Sequence, residues 1–152
     1  MKSISPTMNL AFAGVLLTAP ALFGANGGGY IANVLSVAGA FPAPFMGGYS
    51  PAKAAALFLS SITRSELADQ GTEVIALIVG SVDTRMAAHV QGRKEDPRDI
   101  ARAGLTALDR GEYVADTDFM AVDARARYAR DPVRYERGMT KLLNATVMDT
   151  GR

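Results

Sequence analysis

From Ser3 to Ala52 the chain carries no charged side chain, whereas most of its Arg, Asp and Glu residues fall after Arg85 with the signs interspersed. A stretch so long without charge predicts an apolar first part buried against something, and a solvated, helical second part. With 152 residues, 49% hydrophobic and 20% charged, the chain has enough apolar side chain for a core, which excludes the disordered and fibrous classes. Its net charge of +1 is too weak to direct it to nucleic acid or to an anionic membrane. Cysteine is absent and His89 is the lone histidine. Disulfide frameworks, cysteine nucleophiles and thiolate metal sites are therefore excluded, and no metal is expected. Chemistry must rest on Tyr, Lys, Ser, Asn and carboxylates.

The N-terminal region imitates a secretory signal: Lys2 supplies a positive charge, Leu10 to Leu17 an apolar run, and Ala19-Pro20-Ala21 a small-residue cleavage pattern. Against that reading, Asn9 and Gly14 interrupt the apolar run, the charged region is thin, and the chain continues directly into a strand pattern. The run is also shorter than the roughly 20 residues that span a bilayer. A buried helix from about Thr7, a suitable N-cap, to Phe23 is the preferred reading, with a secreted protein as the remote alternative.

After the break at Asn26-Gly27-Gly28-Gly29, Tyr30 to Val37 reads as a short strand whose near-continuous apolar character suits cover on both faces. A Gly/Pro-rich loop from Ala38 to Gly48 carries Phe41, Phe45 and Met46, which with Met86 hint at an apolar pocket, although loop aromatics serve packing as often. A helix follows from about Tyr49 to Asp69, with Gly71 beyond its end. Glu73 to Val79 reads as a second buried parallel strand closed by Gly80, which makes a βαβ unit. A helix over about 97–109, a short edge strand within 112–115, and helices near 118–130 and 132–143 complete the pattern.

Tyr49 and Lys53 stand at i and i+4, so on a helix they share a face. A free phenol, with a pKa near 10, is mostly protonated at neutral pH, and a neighbouring ammonium favours its ionised form. Such a pair is a usable general acid/base. The spacing alone is more often that of two surface residues one turn apart. The surroundings favour chemistry: Ser36 ends the first strand and Gly80-Ser81-Val82-Asp83-Thr84 follows the second, at the sheet edge where α/β folds bind ligands.

From about Asn9 to Met86 the sequence resembles the short-chain dehydrogenases/reductases. The resemblance rests on the run from Gly28 to Gly39, on the Tyr49/Lys53 pair and on Gly80-Ser81-Val82-Asp83-Thr84, and less specifically on Asp96 to Gly111. It implies an α/β fold: part of a Rossmann-type, doubly wound parallel sheet of two to three strands with flanking helices, in one domain over 1–152. Residues 1–86 would form the catalytic core and 87–152 a helical C-terminal region.

By that resemblance Tyr49 would pass a proton to or from the carbonyl/alcohol oxygen, and Ser36 would hydrogen-bond the same oxygen. Lys53 would ease the proton's movement and bind the nicotinamide ribose hydroxyls. Gly80, Val82 and Thr84 would meet the nicotinamide, and Asn9 would maintain a water-borne proton relay, though a polar residue in a first helical turn needs no such role. The implied cofactor is NAD or NADP and the substrate a small carbonyl or alcohol compound, with no nucleic acid, no membrane and a cytoplasmic setting. Helices 7–23 and 49–69 would offer a homo-oligomer interface.

Two departures from the family pattern stand out. Val79 occupies the place where the family usually has proline, and no glycine-rich turn joins a strand to a helix upstream of Asn9. The expectation is therefore a truncated member, the catalytic half without the dinucleotide-gripping half, with weak or no binding of the cofactor by itself. Its alternative is a non-catalytic remnant that serves association.

Overall fold

The computed structural model describes residues 23–150. Of the helix expected over about 7–23 only Phe23 is among them, and Asn9 lies outside the described residues. The elements are β1 (Gly29–Val34), α1 (Tyr49–Leu67), β2 (Thr72–Ile78), α2 (Pro97–Asp109), β3 (Val114–Asp116), α3 (Phe119–Arg130) and α4 (Pro132–Thr150). Short 3-10 turns occupy Val37–Gly39, Pro44–Met46, Ala68–Gln70 and Arg85–Ala87. The strands form a three-stranded sheet in the order β1-β2-β3, and both pairings are parallel.

Strand β2 lies in the middle and is buried along almost its whole length. Its side chains alternate between two cores, as the period of a strand requires. Ala76 and Ile78 join Leu35, Val37, Ala121 and Ala124, with Leu57 of α1 packed at the margin. Ile75, Leu77 and Val79 join Ile100 and Ala107 of α2. The sheet is thus wound on both sides, with α1 and α3 against one face and α2 against the other, which is the partial Rossmann-type arrangement expected.

Several boundaries differ from expectation. The first strand ends at Val34, yet ladder-like bonds continue as Leu35 N–H to Leu77 O and Val37 N–H to Val79 O, both at 2.9 Å. Helix α1 stops at Leu67 and passes through a 3-10 turn before Gly71. The edge strand falls at Val114–Asp116, and the last helix runs on to Thr150.

Among the described residues, elements cover one face of the first strand. Tyr30 and Val34 are 62% and 57% exposed, while Asn33 between them points inward and is buried. Its amide donates to Ser60 Oγ at 2.9 Å, and Ser60 in turn donates to Ala56 O at 2.8 Å. The polar pair is satisfied inside, so α1 seats on one face of β1 without an orphaned donor.

Local chemistry sets the helix starts. Asp96 caps α2 by accepting the Arg98 N–H at 2.7 Å, with Pro97 in the first position. Arg64 fixes the far end of α1 to the sheet: Nε donates to Val74 O at 2.6 Å and Nη2 to Tyr113 O at 2.7 Å. Among the described residues no helix is long and apolar enough to cross a membrane.

Candidate active site at the C-terminal edge of the sheet

Because β1 and β2 run parallel, their C-terminal ends open on one edge, with Val34 paired to Leu77. Ser36 lies two residues past β1 as the N-cap of the first 3-10 turn. Its hydroxyl oxygen accepts the Ala38 N–H at 3.2 Å, a role that leaves the hydroxyl proton as a donor. Tyr49 opens α1 and is half-buried, and Lys53 follows one turn later.

Lys53 connects the two elements. Its ammonium lies 5.8 Å from the centre of the Tyr49 ring and 3.5 Å from Val34 O, a contact at the long limit of a hydrogen bond. Close approach of α1 to the turn after β1 makes this possible. A Cβ on Gly39 would stand 2.6 Å from the Lys53 carbonyl carbon and 2.8 Å from its Cβ, so only glycine permits the contact.

Burial lowers the Lys53 pKa from the ordinary lysine value of 10.5. The unfolded chain then holds this proton to higher pH than the folded one, so stability rises with pH between the folded value and 10.5. Lys53→Met is expected to remove that slope and to raise the thermal midpoint at neutral pH. Melting curves across pH check it; a lowered midpoint would show that the ammonium is a net structural contact.

Ser50 is a site residue that the sequence reading passed over. It is 5% exposed, and its hydroxyl gathers the loop that separates Ser36 from Tyr49. It lies against Ala38 O and Phe41 O, and accepts the Ala43 N–H at 3.2 Å. A serine next to Tyr49 was visible in sequence, but nothing local marked it as the clamp of a loop seven to twelve residues away.

The second strand end carries the remaining residues. Val79 is buried and continues the ladder through its carbonyl, so a side chain rather than a prolyl ring fills that place. Val82 is half-buried and pairs with Glu95 in an isolated parallel bridge. Thr84 is exposed, its hydroxyl 3.5 Å from Val82 O. Phe41 and Met86, two of the residues that hinted at an apolar pocket, take separate places. Phe41 packs edge-on against Tyr135 at 4.8 Å and near Tyr128 at 6.3 Å, while Met86 is 72% exposed.

The residues suit one end of a nicotinamide dinucleotide. Lys53 is a half-buried cation whose hydrogen bond to Val34 O is long, and Ser36 retains a donor; both fit hydroxyl and carbonyl oxygens. Among the described residues, however, no short glycine-rich turn leads from a strand directly into a helix, so nothing there fits the pyrophosphate. Nor do three or more His, Cys, Asp or Glu side chains among them gather as a metal site.

Comparison with known proteins gives the family and the fold. A family model described as short chain dehydrogenase matches residues 1–95. The 2,5-dichloro-2,5-cyclohexadiene-1,4-diol dehydrogenase LinX of Sphingobium indicum is 28% identical over 131 residues, which cover 77% of this chain and 52% of that protein. The chain thus spans about half the length of the curated relatives it matches. A short chain dehydrogenase from Burkholderia cenocepacia, solved in complex with NADP, superposes with a TM-score of 0.80 at 27% identity, over 91% of this chain and 62% of that one. A short-chain dehydrogenase from Sphingobium yanoikuyae, solved with NADPH, gives 0.68 at 26% identity, over 84% of this chain and 54% of that one.

Proposed function

The chain belongs to the short chain dehydrogenase family, and from that premise we propose that it is the catalytic part of a nicotinamide-dependent oxidoreductase acting on a small carbonyl or alcohol. The observation that carries this reading is Lys53, held by burial between the Tyr49 ring and the end of β1. A bound nicotinamide supplies or accepts the hydride at the substrate carbon. The Tyr49 hydroxyl gives its proton to the substrate oxygen in reduction and takes it back in oxidation. Ser36 donates a hydrogen bond to that oxygen and draws charge onto it. The Lys53 ammonium steadies the phenol oxygen as it ionises and holds ribose hydroxyls beside it. Gly80, Val82 and Thr84 line the nicotinamide end.

The test is hydride transfer itself. It is assayed in a polypeptide joining these 152 residues to the nucleotide-holding half of a relative, against a panel of ketones and secondary alcohols with NADH and NADPH. A folded, dinucleotide-binding fusion without turnover would sink the reading. By themselves the 152 residues are expected to bind NAD(H) or NADP(H) weakly or not at all. Charge-assisted hydrogen bonds to the pyrophosphate contribute about 1.5–3 kcal/mol each, and losing several weakens binding by orders of magnitude. Titration calorimetry decides: a micromolar dissociation constant means that residues elsewhere in this chain hold the phosphates.

A second reading is favoured by one observation. Phe58 and Ile62, one turn apart on α1, are 73% and 51% exposed. A homo-oligomer through this helix, catalytic or not, would cover them, and sedimentation of the wild type against Phe58→Glu distinguishes it from a monomer.

A further inference from the structure

We propose that Asp118 is a positioning residue that holds the Gly80–Thr84 loop in register for the nicotinamide, an inference that rests on the dehydrogenase reading above and deepens it. Asp118 lies outside residues 1–95, where the family model matches. Its carboxylate is divided between two elements. Oδ2 accepts the Gly80 N–H at 2.7 Å, and Oδ1 accepts the Ala121 N–H at 2.9 Å. One side chain therefore holds the Gly80 amide, two residues past the β2 end, and caps α3.

The neighbourhood is built around this bridge. A Cβ on Gly80 would stand 2.7 Å from Asp118 Oδ1 and 2.8 Å from Met120 Cβ, so the approach requires glycine. Thr117 adds a second tie, since both its N–H and its hydroxyl donate to Ile78 O, at 3.1 and 3.0 Å. Farther along, Glu95 pins the loop by accepting the Asp83 N–H and donating to Ser81 O, each at 2.9 Å. Residues 117 and 118 tie the loop to the start of α3, and the Ser81 hydroxyl adds a weaker contact, 3.9 Å from Met120 Sδ. That helix reaches the other side of the edge, where Tyr128 meets Phe41, 6.3 Å between ring centres. Through Asp118, α3 sets the spacing of the two loops that follow β1 and β2. Where residue 79 is valine, no prolyl ring fixes the turn into Gly80, and this hydrogen bond supplies the constraint.

Asp118→Ser separates the two duties, because a serine hydroxyl caps a helix but cannot also reach Gly80. Amide exchange and NMR shifts would be followed in the 152-residue chain during titration with nicotinamide mononucleotide to tens of millimolar. In the variant, exchange at Gly80 is expected to be at least about tenfold faster, the loss of one hydrogen bond to a charged group, while Ala121 stays protected. The response of the Val82 and Thr84 amides to the mononucleotide should weaken by about tenfold or more. Unchanged protection at Gly80 overturns the bridge. A loosened Gly80 with an unchanged mononucleotide response overturns the positioning role and leaves Asp118 a structural cap. No response at Val82 or Thr84 in the wild type overturns the positioning role, whatever Gly80 does, whereas the dehydrogenase reading stands or falls with turnover of the fusion. Should Asp118→Ser not fold, Asp118→Asn, whose amide can cap Ala121 but turns a donor toward Gly80, is read by the same measurements.

Discussion

Tyr49→Phe is expected to lower hydride transfer by about 100- to 10,000-fold, the span that a positioned general acid/base contributes. The change removes one oxygen and its proton and leaves the ring, so the contact with the Lys53 ammonium and the start of α1 persist. Loss of rate should therefore come without loss of fold: the thermal midpoint and dinucleotide affinity of the active fusion stay near those of the wild type. Steady-state kinetics with either nicotinamide cofactor measure it. A variant that turns over at the wild-type rate would remove Tyr49 from the chemistry and with it the purpose of the neighbouring lysine.

Ile78→Ala is expected to be the most damaging core substitution, at about 2–5 kcal/mol. Ile78 is fully buried at the end of the central strand, against Ala121 and Ala124 of α3 and beside Leu35 and Val37. Small alanines on the helix side cannot move in to fill the space left behind, so the cavity remains. Domains of this size hold stabilities of about 5–15 kcal/mol, which makes such a loss a large share of the total. Urea unfolding by circular dichroism provides the measurement. A loss below about 1 kcal/mol would mean that the site collapses readily and that α3 is loosely seated.

The layout of these elements was readable because their patterns are local. Glu73 to Val79 is apolar for its full length, and β2 is indeed buried on both faces as the middle strand. For β1 the same kind of run states what a strand is able to bury and not how many layers lie over it among the described residues. Asn33 was the available clue: a polar residue turned inward onto Ser60 marks the covered face, and Tyr30 and Val34 fall on the other. At the site, the spacing of Tyr49 and Lys53 indicated one helical face, and the ammonium does lie over the ring. Ser50 and Asp118 were not readable as site residues. Each acts on backbone far along the chain, Ser50 on Ala38 twelve residues back and Asp118 on Gly80 thirty-eight residues back. Only the folded path brings those atoms together.

The aromatic cluster of Phe41, Tyr128 and Tyr135 gives the chain an internal optical reporter. There is no tryptophan, and five tyrosines are the only strong near-ultraviolet chromophores. Tyr30 is 62% exposed and contributes little dichroism, and Tyr113 lies under the Arg64 guanidinium, 4.7 Å from its ring centre, away from these two helices. Tyr128 and Tyr135 instead meet edge-on at 5.8 Å, one on α3 and one on α4, with Phe41 between them and the loop after β1. Fixed asymmetric pairs of this kind generate the near-ultraviolet signal of a packed protein. That signal therefore registers whether the two C-terminal helices are docked on the loop. Followed beside the far-ultraviolet band, it separates undocking of α3 and α4 from melting of the sheet in a single unlabelled sample.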